Sequence, residues 1–338
     1  MPTILLQGAI AVSRLSMMRA HAPEGWEVTY WSPADHDPAD FPALAAAAEV
    51  IVGGAPPVPW PNMDLPKLKL FQIPWTGFDF TAPDRMPAGI PVANCFEHET
   101  AIAEFVLLSM LEWEIKLRKL DADFRREGWG GYPTGQGPSH GEIMGKTLGV
   151  LGWGHIAQET VQRARAFGMR CIAVRRSAAD CPPELDCLGQ TADLDRMLAE
   201  SDYVLVACDM NAETRGLIDA DRLAAMKPDG VIINVARGSI IEEDALFDAL
   251  SERRIGGAVI DTWWSYGDGA WPCNRAFQDL DNVILSAHRS ALTEAMHDRR
   301  WGFVSANAAR AVAGEPVQNI VFTGIGGADH AGPASGIG

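Results

Sequence analysis

The run Gly152-Trp153-Gly154-His155-Ile156-Ala157 constrains this chain more than any other stretch. It follows an apolar strand-like segment, Thr147-Leu148-Gly149-Val150-Leu151, and it opens a helix-like segment over 156–167. A strand, a tight glycine turn and a helix start therefore come in immediate succession. Gly152 permits the turn, Gly154 lets the backbone approach a pyrophosphate, and the small Ala157 keeps helix and strand close. The helix start, with the backbone N–H groups of His155 and Ile156, presents unpaired donors and a partial positive charge to phosphate. A dinucleotide is the ligand this pattern suits.

Of the 338 residues, 47% are hydrophobic, enough for a real core and, at this length, for two domains. The net charge of −16 argues against nucleic acid or an anionic membrane as partner. No apolar run reaches the ~18 residues that span a bilayer. The N-terminus reads as a first strand rather than a signal peptide. Six cysteines are scattered without a metal-ligand spacing, so we expect no metal site, reduced thiols and a cytoplasmic location.

Short apolar runs at 4–6, 28–31, 50–52, 68–73 and 91–93, with a helical patch at 41–48, predict a small open α/β sheet. A long helical pattern follows over 98–120, with Glu112–Lys116 and Glu114–Arg118 as candidate pairs across turns. The Gly/Pro/Ser-rich stretch 125–142 reads as a surface loop. Strand candidates at 147–151, 170–174, 203–207, 231–235, 257–260 and 283–285 then alternate with helical segments at 156–167, 193–200, 219–226 and 242–252. Such alternation predicts a parallel, doubly wound (Rossmann) sheet. A further helix is expected over 291–313, and 324–338 reads as a disordered tail.

An NAD site places an acid at the end of the second strand; this chain has Arg175-Arg176-Ser177 there. Two guanidinium groups and a hydroxyl suit a 2′-phosphate, so NADP(H) is preferred, with NAD(H) possible. The strand 231–235 runs into Val235-Ala236-Arg237-Gly238, which puts Arg237 at the carboxyl edge of the sheet, where ligands bind in open α/β folds. A guanidinium there can hold a carboxylate and a carbonyl oxygen. Asp261 ends the next strand and His288 the last one; a histidine in that place can donate or accept a proton at a carbonyl or hydroxyl. His98 and His140 show no paired acid, and His297 reads as solvated on a charged helix face. Glu97, Glu99 and Glu104 read as a charge preference at a helix start.

Taken together, Gly152–Ala157, the Asn234–Gly238 run with the segments after it, the Gly257–Asp261 strand and His288 make the chain resemble the D-isomer-specific 2-hydroxyacid dehydrogenases, over roughly residues 45–322. The resemblance implies a Rossmann cofactor domain, 99–288, inserted into a smaller flavodoxin-like substrate domain, 1–98 and 289–323, with long helices near the two crossings. It implies that Arg237 binds the carboxylate and keto oxygen of a small 2-keto or 2-hydroxy acid. His288 would be the general acid and base, and Asp261 would hold the nicotinamide carboxamide. Trp75-Thr76-Gly77 would be the substrate loop. Asn94 and Thr214 would lie near the ligands, and Val235 and Ala236 along the cofactor. A homodimer is the family's usual state.

One departure stands out. The family pairs its catalytic histidine with a glutamate in the loop after the strand matching Gly257–Asp261. Counting forward from Asp261 puts Tyr266 at that place; counting back from His288 puts Gly269 there, because the loop is longer than usual. Asp268 lies between. The partner is therefore either Asp268, shifted, or Tyr266, a neutral phenol that would leave His288 titrating lower. The same departure keeps two alternatives in view: a dehydrogenase of some other substrate, and a dinucleotide sensor without turnover. Trp263, Trp264, Trp271 and Trp301 read as packing or interface residues, with an aromatic pocket wall as the alternative.

Overall fold

The computed structural model describes residues 1–57, 63–78, 80–130, 135–267 and 271–326. Two compact units divide the chain: residues 1–97 with 293–338, and residues 98–292.

In the first unit, strands β1 (Thr3–Gln7), β2 (Glu27–Trp31), β3 (Val50–Gly53), β4 (Leu70–Gln72) and β5 (Pro91–Ala93) form a parallel sheet in the order β2-β1-β3-β4-β5. A last strand, β13 (Ile320–Thr323), adds antiparallel to β5 at the edge. Every residue of β1 is buried because both faces of the sheet are covered. Ile4 and Leu6 face helix α10 (Glu294–Ala313) through Trp301, Val304 and Ala308. Leu5, one residue out of phase, joins Phe41 and Ala45 of helix α3 (Phe41–Ala47) on the other side. Two short helices, α1 (Ala9–Val12) and α2 (Leu15–His21), have no counterpart in the sequence reading.

The second unit holds a seven-stranded parallel sheet of β6 (Thr147–Leu151), β7 (Arg170–Arg175), β8 (Cys187–Gln190), β9 (Tyr203–Val206), β10 (Val231–Asn234), β11 (Gly257–Ile260) and β12 (Val283–Leu285). The order is β8-β7-β6-β9-β10-β11-β12, the doubly wound arrangement, which reverses direction between β6 and β9. Helices α4 (Glu99–Ile115) and α6 (His155–Ala166) cover one face through Ile102, Val106, Met110, Ala157, Val161 and Ala164. Helices α7 (Leu194–Glu200), α8 (Ala220–Ala225) and α9 (Glu243–Ser251) cover the other. No described helix is long and apolar enough to cross a membrane. All six cysteines are free thiols.

Three expectations are corrected. The helical pattern over 98–120 is two helices, α4 and α5 (Leu117–Glu127), broken at Lys116, which sits in a left-handed conformation with φ 54°. Such a residue costs about 1–2 kcal/mol, and no glycine or proline announces it. The break ends the predicted charge pairs: Glu112 bonds Arg118 at 3.1 Å instead, and Glu114 pairs with Lys146 at 3.0 Å and accepts from the buried Tyr203 hydroxyl. The predicted loop 125–142 begins inside α5. Finally, His297 is not solvated but buried in the first unit.

The surroundings of His297 explain its chemistry. Arg14 places a guanidinium nitrogen 3.0 Å from His297 Nε2. Arginine only donates, so that nitrogen must accept, and the ring must be neutral. Burial, then the Arg14 and Arg300 guanidiniums, lower its pKa below the ordinary 6.5, against the opposing Glu294 carboxylate. A histidine depressed in the folded state costs stability once the pH falls through its unfolded value, because the unfolded chain takes up a proton that the folded unit refuses. Replacing His297 with Gln should therefore shrink the fall in Tm between about pH 7.5 and pH 5.5. Thermal melts across that range check this, and parallel losses in the two proteins would contradict it.

Candidate functional site

The glycine turn forms because nothing larger than hydrogen fits at its start. Gly152 has φ +100°, and a Cβ there would lie 2.8 Å from the Ala207 carbonyl oxygen and from the Cys208 Cα. Its N–H donates to Val174 O at 2.8 Å, so the turn is wedged between the ends of β7 and β9. Gly154 is the N-cap of α6, with no side-chain cap and no acid in the first turn. A Cβ on Gly154 would meet open space. No N-cap side chain competes for the first turn of α6, an arrangement that suits an anion. Ala157 is fully buried, which lets α6 lie close on the sheet.

A contact that the sequence reading missed lies beside this turn. Glu99 Oε1 is 3.7 Å from His98 Nδ1 and 3.7 Å from His155 Nδ1, with the Glu99 side chain almost enclosed. The two helix starts that meet there are 56 positions apart (155 − 99) in sequence, so no local pattern could show it.

At the end of β7, Arg175 is half-buried while Arg176 and Ser177 are exposed. Arg176 is 3.7 Å from Glu213, with both side chains well exposed, a loose pair that an incoming anion can replace. Thr214 donates to Asp209 O at 2.7 Å and accepts from Asn211 N at 2.8 Å, which ties the loop after β9. The Cys208 thiol in the same loop is pushed up to about 12, by burial first and then by Asp209, and is inert at neutral pH.

Three neighbouring strand ends bring the remaining candidates together. After β10, the Asn234 amide donates to Arg237 O at 2.9 Å and accepts from Ala236 N at 3.1 Å, clamping the Val235–Arg237 turn. Gly238 lets that turn lie against the Trp263–Trp264 backbone, which any Cβ would strike. After β11, the Tyr266 ring comes 5.5 Å from the His288 ring, and its hydroxyl accepts from Trp263 N at 3.1 Å. His288, after β12, has φ 53°. Its side chain is exposed, with the unit packed behind it.

Electrostatics link this group. Desolvation lowers the His288 pKa; the Asp261 carboxylate raises it and the Arg237 guanidinium lowers it further, with a net shift below 6.5. Burial raises the Tyr266 phenol, against the Trp263 N–H and Arg237. Asp268, the other candidate partner, lies outside the described residues.

Asp261 directly follows β11. Its side chain is wholly enclosed. It accepts from Arg289 N at 2.9 Å and Ser290 N at 3.2 Å, and from the Ser290 hydroxyl.

Two tryptophans of the loop after β11 serve packing. Trp263 is buried and donates to Ser286 O at 2.8 Å; Trp264 donates to Ile241 O at 2.7 Å and stacks on Phe277. Trp301 lies in the core of the first unit, and Trp271 is exposed. In the first unit the predicted substrate loop is tied to β5. Asn94 donates to Thr76 O at 2.8 Å, Thr76 donates to Cys95 O at 3.1 Å, and Cys95 N donates to Trp75 O at 3.1 Å. The Asn94 side chain is buried in that role.

Residues 107–290 match the family model described as D-isomer specific 2-hydroxyacid dehydrogenase, NAD binding domain. The chain is 32% identical over 265 residues to the D-3-phosphoglycerate dehydrogenase of Mycobacterium tuberculosis, covering 77% of this chain and 48% of that one. It thus spans about half the length of that relative. It is 30% identical over 249 residues to the 2-ketogluconate reductase of Gluconobacter oxydans, covering 72% and 76% of the two chains. A solved NADPH-dependent glyoxylate/hydroxypyruvate reductase of Sinorhizobium meliloti, in complex with NADP and sulfate, shares the fold. The TM-score is 0.76 at 22% identity, over 95% of this chain and 98% of that one. This chain belongs to the D-isomer specific 2-hydroxyacid dehydrogenase family.

Proposed function

We propose that this protein interconverts a small 2-keto acid and the corresponding D-2-hydroxy acid, using NADP(H). The observation that carries the reading is the meeting of Arg237, Tyr266 and His288 at the carboxyl edge of the sheet that also bears the glycine turn.

The residues present fit a dinucleotide. Gly152 permits the tight turn, Gly154 leaves room for the backbone to approach a pyrophosphate, and the start of α6, without a side-chain cap, suits an anion. Arg175, Arg176 and Ser177 offer a 2′-phosphate two guanidiniums and a hydroxyl, which favours NADP(H) over NAD(H). The Sinorhizobium meliloti reductase, described with NADP, is in keeping with that choice. Bound there, NADPH supplies a hydride to the substrate C2.

The chain's own residues do the rest. Arg237 holds the substrate carboxylate and carbonyl oxygen and stabilises charge on that oxygen as it develops. In reduction, protonated His288 gives its proton to the same oxygen; in oxidation, the neutral ring takes the proton back. Tyr266 is the partner of His288, a neutral one, in keeping with the lowered pKa of the ring.

The sign follows. Reduction needs the imidazolium, so kcat/KM for reduction should fall as pH rises through a value below 6.5, and oxidation should rise through it. NADPH consumption with glyoxylate, hydroxypyruvate and larger 2-keto acids tests the reading. Arg237→Ala should cost about 10²–10³-fold in kcat, and His288→Ala about 10²–10⁴-fold. Asp268→Asn should leave the pH profile in place while Tyr266→Phe moves it; the reverse makes Asp268 the partner. Tight NADPH binding with no turnover of any 2-keto acid, unaffected by His288→Ala, would mark a dinucleotide sensor instead.

We also propose that the protein is a homodimer. Helix α5 buries none of its residues. Leu117, Leu120 and Phe124 stand exposed along one side of it, and the Phe124 ring meets exposed Trp129 edge-on at 5.8 Å. An uncovered apolar stripe of this kind suits a symmetric contact with a second copy. Light scattering should give twice the 36.5 kDa chain mass, and Leu120→Glu with Phe124→Glu should return the single mass. A wild-type monomer would sink the idea.

A further inference from the structure

Dinucleotide sites built for NAD(H) end their second strand with an acid that accepts from the ribose hydroxyls. Strand β7 ends without one: Arg175, Arg176 and Ser177 stand there instead. A carboxylate nevertheless reaches that place, from the segment that follows another strand.

Strand β6 lies between β7 and β9 and pairs with both. The glycine turn leaves the end of β6, where the strand order reverses, and that crevice is where a ligand binds in such folds. Arg176 is the first residue after β7, and Glu213 belongs to the segment after β9. Their side chains meet across the end of β6, with Glu213 Oε2 3.7 Å from an Arg176 guanidinium nitrogen. A tied turn presents Glu213. The Asn211 side-chain oxygen accepts from Glu213 N at 2.8 Å and from Thr214 N at 3.2 Å, and the Thr214 hydroxyl donates to Asp209 O at 2.7 Å. The backbone under the carboxylate is therefore held, while the side chain itself is 71% exposed and open to a ligand.

The place of that carboxylate has a chemical meaning. Under the proposed function Arg176 takes the 2′-phosphate of NADP(H). An anion already paired with Arg176 occupies the place of that phosphate, beside the ribose 2′ position, and Glu213 is such an anion. A phosphate, with more charge and more acceptor oxygens, displaces a loosely held exposed carboxylate from a guanidinium. A bare 2′-hydroxyl does not, because it brings no charge. It brings a proton to donate, and an ionised carboxylate is an acceptor that suits it.

We propose that Glu213 is a cofactor-specificity residue that lets the same site take NAD(H): its carboxylate, held beside Arg176, accepts from the ribose 2′-hydroxyl of NAD(H) and gives way to the 2′-phosphate of NADP(H). The inference rests on the proposed 2′-phosphate role of Arg176. Glu213 supplies from the β9 side the acid that β7 lacks. The protein then uses both cofactors, with Arg176 serving one and Glu213 the other.

Calorimetric titration with adenosine fragments tests this on the full chain, without turnover. The probes are AMP, 2′-deoxy-AMP and 2′,5′-ADP, which differ only at the 2′ position. Wild type should bind AMP about threefold to tenfold more tightly than 2′-deoxy-AMP, the range of a single hydrogen bond. Glu213→Ala should erase that difference by weakening AMP alone, and should not weaken 2′,5′-ADP. Arg176→Ala should weaken 2′,5′-ADP. In turnover, Glu213→Ala should lower kcat/KM for NADH by the same factor and leave that for NADPH no lower. Equal binding of AMP and 2′-deoxy-AMP by wild type, or a difference that survives Glu213→Ala, would overturn the inference. If 2′,5′-ADP binds no more tightly than AMP and ignores Arg176→Ala, the NADP(H) preference fails, and the 2′-deoxy comparison still judges Glu213. Absence of turnover with every 2-keto acid would overturn the proposed reaction and leave these affinities as they are.

Discussion

The site depends on the register of three parallel strands. Asn234 lies opposite Ile260, and Ile260 opposite Leu285, so β10, β11 and β12 end level with one another. Each then releases its chain at the same edge: Arg237 from the first, Asp261 and Tyr266 from the second, His288 from the third. A slip of one residue would turn each following side chain to the other face. The burial of both faces opposes such a slip, since Ile232 and Ile233 serve opposite cores.

Backbone clamps convert that shared edge into fixed geometry. Asn234 closes the turn before Arg237 with both ends of its amide, and Asp261 closes the turn after His288 with its carboxylate. Trp263 joins the two regions through its backbone N–H to Tyr266 and its indole to Ser286. The side chains with exposed chemistry are thus few, and most polar groups around them are committed to holding the loops. The balance on His288 follows from this crowding: packing and Arg237 favour the neutral ring, and Asp261 opposes them.

Much of this was legible in the sequence, for stated reasons. The glycine turn, the strand runs and the positions of Arg237 and His288 are encoded locally, in apolar runs and the residues that end them, and the doubly wound architecture follows from their alternation with helices. Other features were not. Strand β8 is a half-exposed edge with Gly189 in it, so it lacks an apolar run. The break at Lys116 has no glycine or proline. The burial of His297 is masked by its charged neighbours Asp298, Arg299 and Arg300. The Asp261–Ser290 bond and the Glu99–His155 contact each join residues far apart in sequence and depend on the strand register or on helix packing.

The central claim is that hydride moves between a nicotinamide and the C2 of a 2-keto acid held by Arg237 and protonated by His288. Following the label tests it most directly: NADPH carrying deuterium at the transferable C4 position is incubated with the enzyme and a 2-keto acid, and the product is examined by NMR and chiral chromatography. The account predicts deuterium at C2 of a D-2-hydroxy acid, formed about 10²–10³-fold more slowly by Arg237→Ala. Unlabelled product, an L-configured product, or no product from any 2-keto acid would contradict it.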